Sequence, residues 1–316
     1  MINVNNITAS YSVNGKNTTA LDNIDLSIRE NIILGIAGES GSGKTTLLKI
    51  LYGNIDKSLK ILNGNISYKI NGFEADCPND YNLLRKYWWD LFSYIPQGSM
   101  SVLNPVKKIK NQFYDSPISK KYNKRNQLYY DLVEYLNSLQ LDEKVLDSYP
   151  HQLSGGMRQR VIIALATFHS PKYIFADEPT TALDVVIQKE VLVLLKKVHI
   201  SMKNTVVLVS HDLGVHFQLS DYLIILYLGE IVEISETSQL FSEPLHPYSK
   251  ILIDSLPQIG DSNKRIGLDG ALIENISYEN GCKFANKCPN VMDICKKEKP
   301  ISKQINDQKS VSCFLY

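Results

Sequence analysis

Several groups of residues in this 316-residue chain have the types and spacing to do chemistry. The first is Gly38-Glu39-Ser40-Gly41-Ser42-Gly43-Lys44-Thr45-Thr46, a glycine-rich turn that follows the apolar run Ile32 to Ala37 and opens a helical pattern. Glycines let the backbone take turns closed to other residues, so successive N–H groups and the positive end of the next helix converge on one anion. In such a phosphate-binding loop Lys44 reaches terminal phosphates as a point charge, and the Thr45 hydroxyl takes a place on Mg2+. The bland alternative is a Gly-Ser loop that merely starts a helix; strand, spacing and Lys-Thr coinciding argue against it.

A second group is Ser154-Gly155-Gly156-Met157, leading into Val161 to Leu165. Ser154 is a natural N-cap and the two glycines expose further amides at the same helix end, which makes either a second anion site or a simple cap. A third is Asp177-Glu178 at the carboxyl end of the buried-type strand Tyr173 to Ala176, where ligands of open α/β sheets collect. Asp177 suits control of Mg2+ and Glu178 suits polarising a water in line with a γ-phosphate. His211 follows the β-branched strand Thr205 to Val209 at the same end of the sheet, and Gln97 falls just after a strand broken at Pro96. Tyr11 stands before the turn Asn14-Gly15, where an aromatic ring either stacks on a base or simply packs. Four of the five cysteines, Cys282, Cys288, Cys295 and Cys313, crowd toward the C-terminus and read as thiols or metal ligands rather than disulfides.

The elements that must position these groups are legible as a pattern. Residues 1 to 30 alternate as strands, Ile66 to Gly72 reads as a strand and turn, and residues 73 to 90 read as irregular, with Cys77-Pro78 in a loop and a short helical stretch before Trp88-Trp89. Leu128, Leu132, Leu136 and Leu139 recur at helical steps within a charged stretch, which predicts a small helical subdomain inserted in an α/β core. Lys plus Arg number 34 against 33 Asp plus Glu, so no global field favours nucleic acid or an anionic surface. No basic start with an apolar run and no stretch of eighteen apolar residues is visible, so neither secretion nor membrane spanning is expected.

Taken together, the pieces resemble the nucleotide-binding subunits of ATP-binding cassette proteins, in that family's order from Tyr11 to His211. Leu153-Ser154-Gly155-Gly156-Met157 looks like the family's signature motif. The resemblance implies two cassettes paired head to tail, the signature of one closing over the γ-phosphate held by the other. It implies Tyr11 as the adenine-stacking aromatic, Gly38 to Thr46 as the Walker A loop, Gln97 as the Q-loop residue and Asp177 as the Walker B carboxylate. Glu178 becomes the general base, Asp184 the D-loop residue, and His211 the switch at the γ-phosphate. Thr45, Gln97 and Asp177 are then the Mg2+ residues, and Lys44, Gln97, Glu178 and His211 the catalytic ones. The implied fold is an α/β P-loop NTPase (RecA-like) core with an antiparallel β subdomain and an inserted α-helical subdomain of about residues 98–160. Residues 1–240 form the nucleotide-binding domain and 241–316 a small cysteine-containing extension.

Within the family the chain is similar to ATPases of oligopeptide, dipeptide and nickel importers. The Met157-Arg158-Gln159-Arg160 continuation, Leu103-Asn104-Pro105-Val106, His246-Pro247-Tyr248 through Leu256-Pro257, and the cysteine ending carry that likeness. Members with this ending can hold an iron-sulfur cluster; zinc and unliganded thiols remain the alternatives. The resemblance implies ATP and Mg2+, a related but different second ATPase subunit, two membrane permeases and an extracytoplasmic solute-binding protein, with no nucleic acid. The chain then works at the cytoplasmic face of the cell membrane, powering import of a di- or oligopeptide; nickel, a metal chelate or an oligosaccharide are alternative cargoes. A soluble cassette ATPase without a permease is the rival of another class. Gly98-Ser99 and Trp88-Trp89 depart from the family's usual residues near the Q-loop, which bears on the permease partner rather than on nucleotide chemistry.

Overall fold

The computed structural model describes residues 1–13, 15–98, 102–256 and 280–316. In chain order the strands are β1 (Ile2–Val13), β2 (Lys16–Ile28), β3 (Ile33–Ala37), β4 (Leu59–Ile70), β5 (Phe73–Cys77), β6 (Phe92–Ile95), β7 (Tyr173–Asp177), β8 (Thr205–Val209), β9 (Tyr222–Tyr227), β10 (Glu230–Glu236), β11 (Lys303–Asn306) and β12 (Lys309–Val311). The α-helices are α1 (Lys44–Tyr52), α2 (Tyr81–Lys86), α3 (Ile109–Asp115), α4 (Arg125–Ser138), α5 (Gly155–Thr167), α6 (Val185–Met202), α7 (Leu213–Leu219), α8 (Thr237–Ser242) and α9 (Pro247–Asp254). The chain divides into two compact units, one of residues 1–28, 34–78 and 210–316, the other of residues 29–33 and 79–209.

The first unit holds an antiparallel sheet in the order β2-β1-β4-β5. Along β1 the buried residues Ile2 and Val4 give way to Ile7 and Ala9, a break in alternation caused by an irregularity in both ladders near Asn6. Asn6 takes the left-handed conformation (φ 52°) that asparagine tolerates better than most residues, and its N–H donates to the Asp25 carboxylate. Where irregular chain was expected, β5 buries Phe73, Ala75 and Cys77 and turns Glu74 and Asp76 outward against β4. Its short length and acidic residues hid it, because pairing with β4 supplies what local strand preference withholds. The stretch after it contains α2, the short helical stretch expected before Trp88-Trp89.

The same unit carries the strand order β11-β12-β10-β9-β3. Strand β3 runs parallel to β9, from Leu34 opposite Tyr222 to Ala37 opposite Ile225, and all five of its residues are buried. A continuous apolar run is what a parallel strand covered on both faces requires. Residues 280–316 belong here: β12 pairs with β10, and Lys283 and Lys299 bridge Asp22 and Glu230 at 2.6–3.1 Å.

In the second unit β6, β7 and β8 are parallel neighbours, with Phe92 opposite Tyr173 and Tyr173 opposite Thr205. Helix α4 buries Leu128, Leu132 and Leu136, with Leu139 buried at its C-cap, as the helical spacing predicts. The Phe168 ring gathers Phe113, Tyr122 and Tyr135 at 6.2, 6.5 and 5.3 Å, aromatic pairs that each contribute about 0.5–1.5 kcal/mol beyond their area. Of the helical stretch expected from residue 98, residues 99–101 lie outside the described ones. No helix among the described residues is long and apolar enough to cross a membrane.

The Asp22 cluster has a pH signature. Burial opposes its charge, but Lys283 and Lys299 outweigh that and hold the carboxyl at about 2, against 3.8 ordinarily. A depressed carboxylate stabilises the fold above its unfolded value and loses that contribution as pH falls through its folded one. The melting-temperature gap between wild type and Asp22→Asn should therefore be open at pH 5–6 and close as pH falls from about 4 toward about 2; a constant gap would remove the ion cluster as its cause.

Candidate functional site

In the first unit the loop between β3 and α1 is shaped by backbone approach. Gly38 (φ 148°) lies so near the Leu226 carbonyl that a Cβ could not fit, and a Cβ on Gly43 (φ 102°) would come within 2.6 Å of the Ala20 carbonyl. Gly43 also caps α1, and no side chain caps that helix end. A helix amino terminus without a side-chain cap, preceded by left-handed glycines, is a receptor for anions. The Lys44 ammonium, buried, donates to the carbonyls of Gly38 and Glu39 at 2.8 Å each. The Ser42 hydroxyl is buried without a hydrogen-bond partner, the kind of orphaned group that a polyphosphate chain satisfies. The residues therefore fit a bound nucleotide on physical grounds.

Around this loop stand residues both expected and unexpected. The Tyr11 hydroxyl accepts a hydrogen bond from Thr46 Oγ1, in the first turn of α1, at 3.4 Å. His211 is exposed, on the turn that follows β8 and precedes α7. His216 was not singled out by its sequence. It is fully buried, with Nε2 3.1 Å from the Ser210 carbonyl and Nδ1 3.2 Å from the Ser220 hydroxyl. Because a carbonyl only accepts, Nε2 carries the proton and Nδ1 takes the serine's hydrogen bond. Burial pushes this imidazole down to about 4, so it is neutral and holds the peptide next to His211 in place. Tyr248 was likewise visible only as part of a C-terminal likeness, yet its hydroxyl accepts the Glu39 N–H at 3.0 Å.

The second unit carries the carboxylates. Asp177 ends β7, buried, with Oδ2 receiving the Tyr94 hydroxyl at 2.9 Å. Glu178 has the left-handed backbone (φ 45°) that non-glycine residues rarely adopt. Its N–H donates to Val209 O at 2.9 Å, and one carboxylate oxygen accepts Gln97 Nε2 at 3.2 Å and Thr181 Oγ1 at 2.8 Å. Gln97, Asp177 and Glu178 are thus gathered within this unit.

Ser154 and Asp184 both cap helices, Ser154 Oγ accepting from Met157 N at 3.2 Å and Asp184 Oδ1 from Ile187 N at 3.0 Å. Capping is therefore part of the Ser154 role. Gly156 lets α5 approach α6, since a Cβ there would come within 2.7 Å of Ile187 Cγ2, whereas Gly155 meets only ordinary contact.

All four C-terminal cysteines line one cavity with His246, Pro247 and Phe284. Burial pushes the Cys282 thiol up to about 11 and also raises Cys288 and Cys313. Among the described residues no three His, Cys, Asp or Glu side chains are gathered closely enough to hold a metal ion.

Comparison with known proteins places this geometry. The family model described as ABC transporter matches residues 21–181, and that described as oligopeptide/dipeptide transporter, C-terminal region, matches residues 232–295. The chain is 36% identical over 319 residues to the dipeptide transport ATP-binding protein DppD of Caldanaerobacter subterraneus, covering 100% of this chain and 97% of the relative. It is 36% identical over 320 residues to the oligopeptide transport ATP-binding protein AppD of Bacillus subtilis, with the same shares covered. A solved dimeric ATP-binding cassette, in a post-hydrolysis state bound to ADP and Pi, superposes with TM-score 0.64 at 30% identity, covering 75% of this chain and 99% of that one. The chain belongs to the ABC transporter family. It is an ATPase cassette in fold, and membership in this family implies ATP as the nucleotide.

Gly156 offers a separation of packing from chemistry. Gly156→Ala should cost about 1–3 kcal/mol in chemical denaturation through the Ile187 clash, and the added Ile187→Ala should relieve most of that clash. If ATPase activity returns with stability in the double variant, Gly156 acts through packing alone.

Proposed function

We propose that this chain hydrolyses ATP to drive import of a di- or oligopeptide through a membrane permease. The observation that carries the reading is the phosphate loop: glycines at positive φ, an α1 terminus without a side-chain cap, a buried Lys44 and an orphaned Ser42 hydroxyl. Residues 38–46 hold the phosphates, Tyr11 stacks on the base, and Thr45, Gln97 and Asp177 are the residues that would hold Mg2+. That ion, when bound, neutralises charge developing on the phosphates. Glu178 acts as general base toward the attacking water, and its paired oxygen, held by Gln97 and Thr181, leaves the carboxylate oriented. His211 contacts the γ-phosphate. Ser154, Gly155, Gly156 and Asp184 serve the nucleotide held by the opposite cassette.

Residues 1–240 act as the nucleotide-binding domain, with residues 98–160 as its helical part, and 241–316 as the extension. The partner cassette is a related but different subunit, the permease has two membrane subunits, and a solute-binding protein outside the membrane selects the cargo. The site of work is the cytoplasmic membrane face. The peptide cargo rests on the matching C-terminal region and on relatives named as peptide transport ATP-binding proteins. For the four cysteines the reading is a [4Fe-4S] cluster, whose thiol donors line one cavity; among the described residues no three of them stand closely enough to hold a metal ion, so a cluster would have to draw them together.

Glu178→Gln should retain ATP binding, accumulate an ATP-bound dimer by size-exclusion chromatography, and lose roughly 10²- to 10⁴-fold in hydrolysis rate. Hydrolysis near wild type would remove Glu178 as the base. Lys44→Ala should lose ATP affinity, and retained affinity would refute the phosphate-loop reading. Iron, sulfide and zinc analysis of anaerobically purified protein checks the thiols: equimolar iron and sulfide are expected, and folded, metal-free protein would discard the cluster.

A further inference from the structure

The phosphate loop is held from a place far away in sequence. Glu39 N–H donates to the Tyr248 hydroxyl at 3.0 Å across 209 residues, while the Glu39 carbonyl receives the Lys44 ammonium at 2.8 Å. One residue of the loop is thus gripped at both ends of its backbone. Tyr248 is fully buried, and its position is determined on every side. Its ring packs on Tyr227 at 4.6 Å and on Phe284 at 5.5 Å, and its own N–H donates to His246 Nδ1 at 3.0 Å. Below it, the buried Glu233 carboxylate accepts the N–H groups of Leu245 and His246 at 2.9 Å each, which fixes the entry to α9. An acceptor so immobilised sets the direction of the amide it receives, and one buried hydrogen bond of this kind is worth about tenfold in an equilibrium constant.

We infer that Tyr248 is a positioning residue for nucleotide binding: its hydroxyl holds the Glu39 amide so that the loop keeps its phosphate-receiving shape when Lys44 turns from the Gly38 and Glu39 carbonyls toward phosphate. The inference rests on the proposed ATP site. Tyr248 acts on the loop through the Glu39 amide. The segment containing it therefore tunes affinity for a nucleoside triphosphate, in addition to any role its neighbouring thiols have.

Tyr248→Phe keeps the ring and its packing and deletes only the acceptor. In the full chain its Kd for ATP, by equilibrium binding with Mg2+, should rise about tenfold, while kcat of the assembled transporter at saturating ATP stays within about twofold. The variant Tyr248→Leu, which also loses ring packing, should lower the melting temperature as well. An unchanged Kd in Tyr248→Phe, or a fall in kcat and stability with Kd constant, overturns the inference and leaves the ATP site standing. Wild-type protein that binds no ATP brings down the ATP reading itself, and this inference with it. Should Tyr248→Phe not fold, amide hydrogen exchange of wild type decides: slow exchange at Glu39 without nucleotide supports the bond, and exchange at the rate of an open loop rejects it.

Discussion

Close backbone approach at two glycines holds the loop between β3 and α1 together. The Gly38 backbone presses on the Leu226 carbonyl of β9, and the Gly43 backbone on the Ala20 carbonyl of β2, at separations no Cβ permits. Since β9 is itself the parallel neighbour of β3, the loop leaves the edge of one strand and is braced by the next. The Ser42 carbonyl then receives the Gly229 N–H at 2.9 Å, from the turn that joins β9 to β10. Loop shape, strand pairing and the start of α1 are consequently one construction. A side chain at either glycine would disturb all three at once, because closed interiors transmit a displacement rather than absorb it.

The carboxylates are held by a different means, local strain offset by hydrogen bonds. A left-handed backbone at a residue such as Glu178 costs on the order of 1–3 kcal/mol and persists only where surroundings over-determine it. Here the surroundings are the Val209 carbonyl, the Thr181 hydroxyl and the Gln97 amide, at 2.9, 2.8 and 3.2 Å. The twist sends the chain out of β7 with Asp177 buried against Tyr94 and Glu178 turned to the Gln97 amide. Two consecutive carboxylates thereby obtain different environments, Asp177 buried against Tyr94 and Glu178 held by Gln97 and Thr181.

Much of this was legible in the sequence because it is local. The spacing of Gly38, Gly43, Lys44 and Thr45 specifies a loop whose parts are neighbours in the chain, and the helical spacing of Leu128, Leu132 and Leu136 reports one buried face. What stayed hidden was either short or distant. Strand β5 lacks the length to announce itself, and its buried alternation makes sense only beside β4. Gly156 reads as an amide donor, whereas the space it leaves is filled by Ile187 of another helix. The exposed His211 carries the recognisable motif, but the neutral His216 that secures its neighbour Ser210 has no signature, since burial and not spacing defines it.

The C-terminal segment illustrates the same limit and shows why it matters for function. Read as sequence, residues after 241 look like an appendage defined by His246-Pro247-Tyr248 and by cysteines. In space the segment reaches the phosphate loop from two sides. On one side Tyr248 accepts the Glu39 amide. On the other, Lys283 donates to the Leu228 carbonyl at 2.9 Å and pairs with Asp22, whose own N–H donates to the Gly229 carbonyl at 2.8 Å. The Gly229 N–H in turn donates to the Ser42 carbonyl, so an ion pair and two successive hydrogen bonds lead from the extension to the loop's interior. The Phe284 ring that packs on Tyr248 also lines the thiol cavity, one residue from Lys283. Deleting such a segment would remove braces from the loop itself, so the phosphate site and the cysteine-bearing end fold as one body and neither is an accessory of the other.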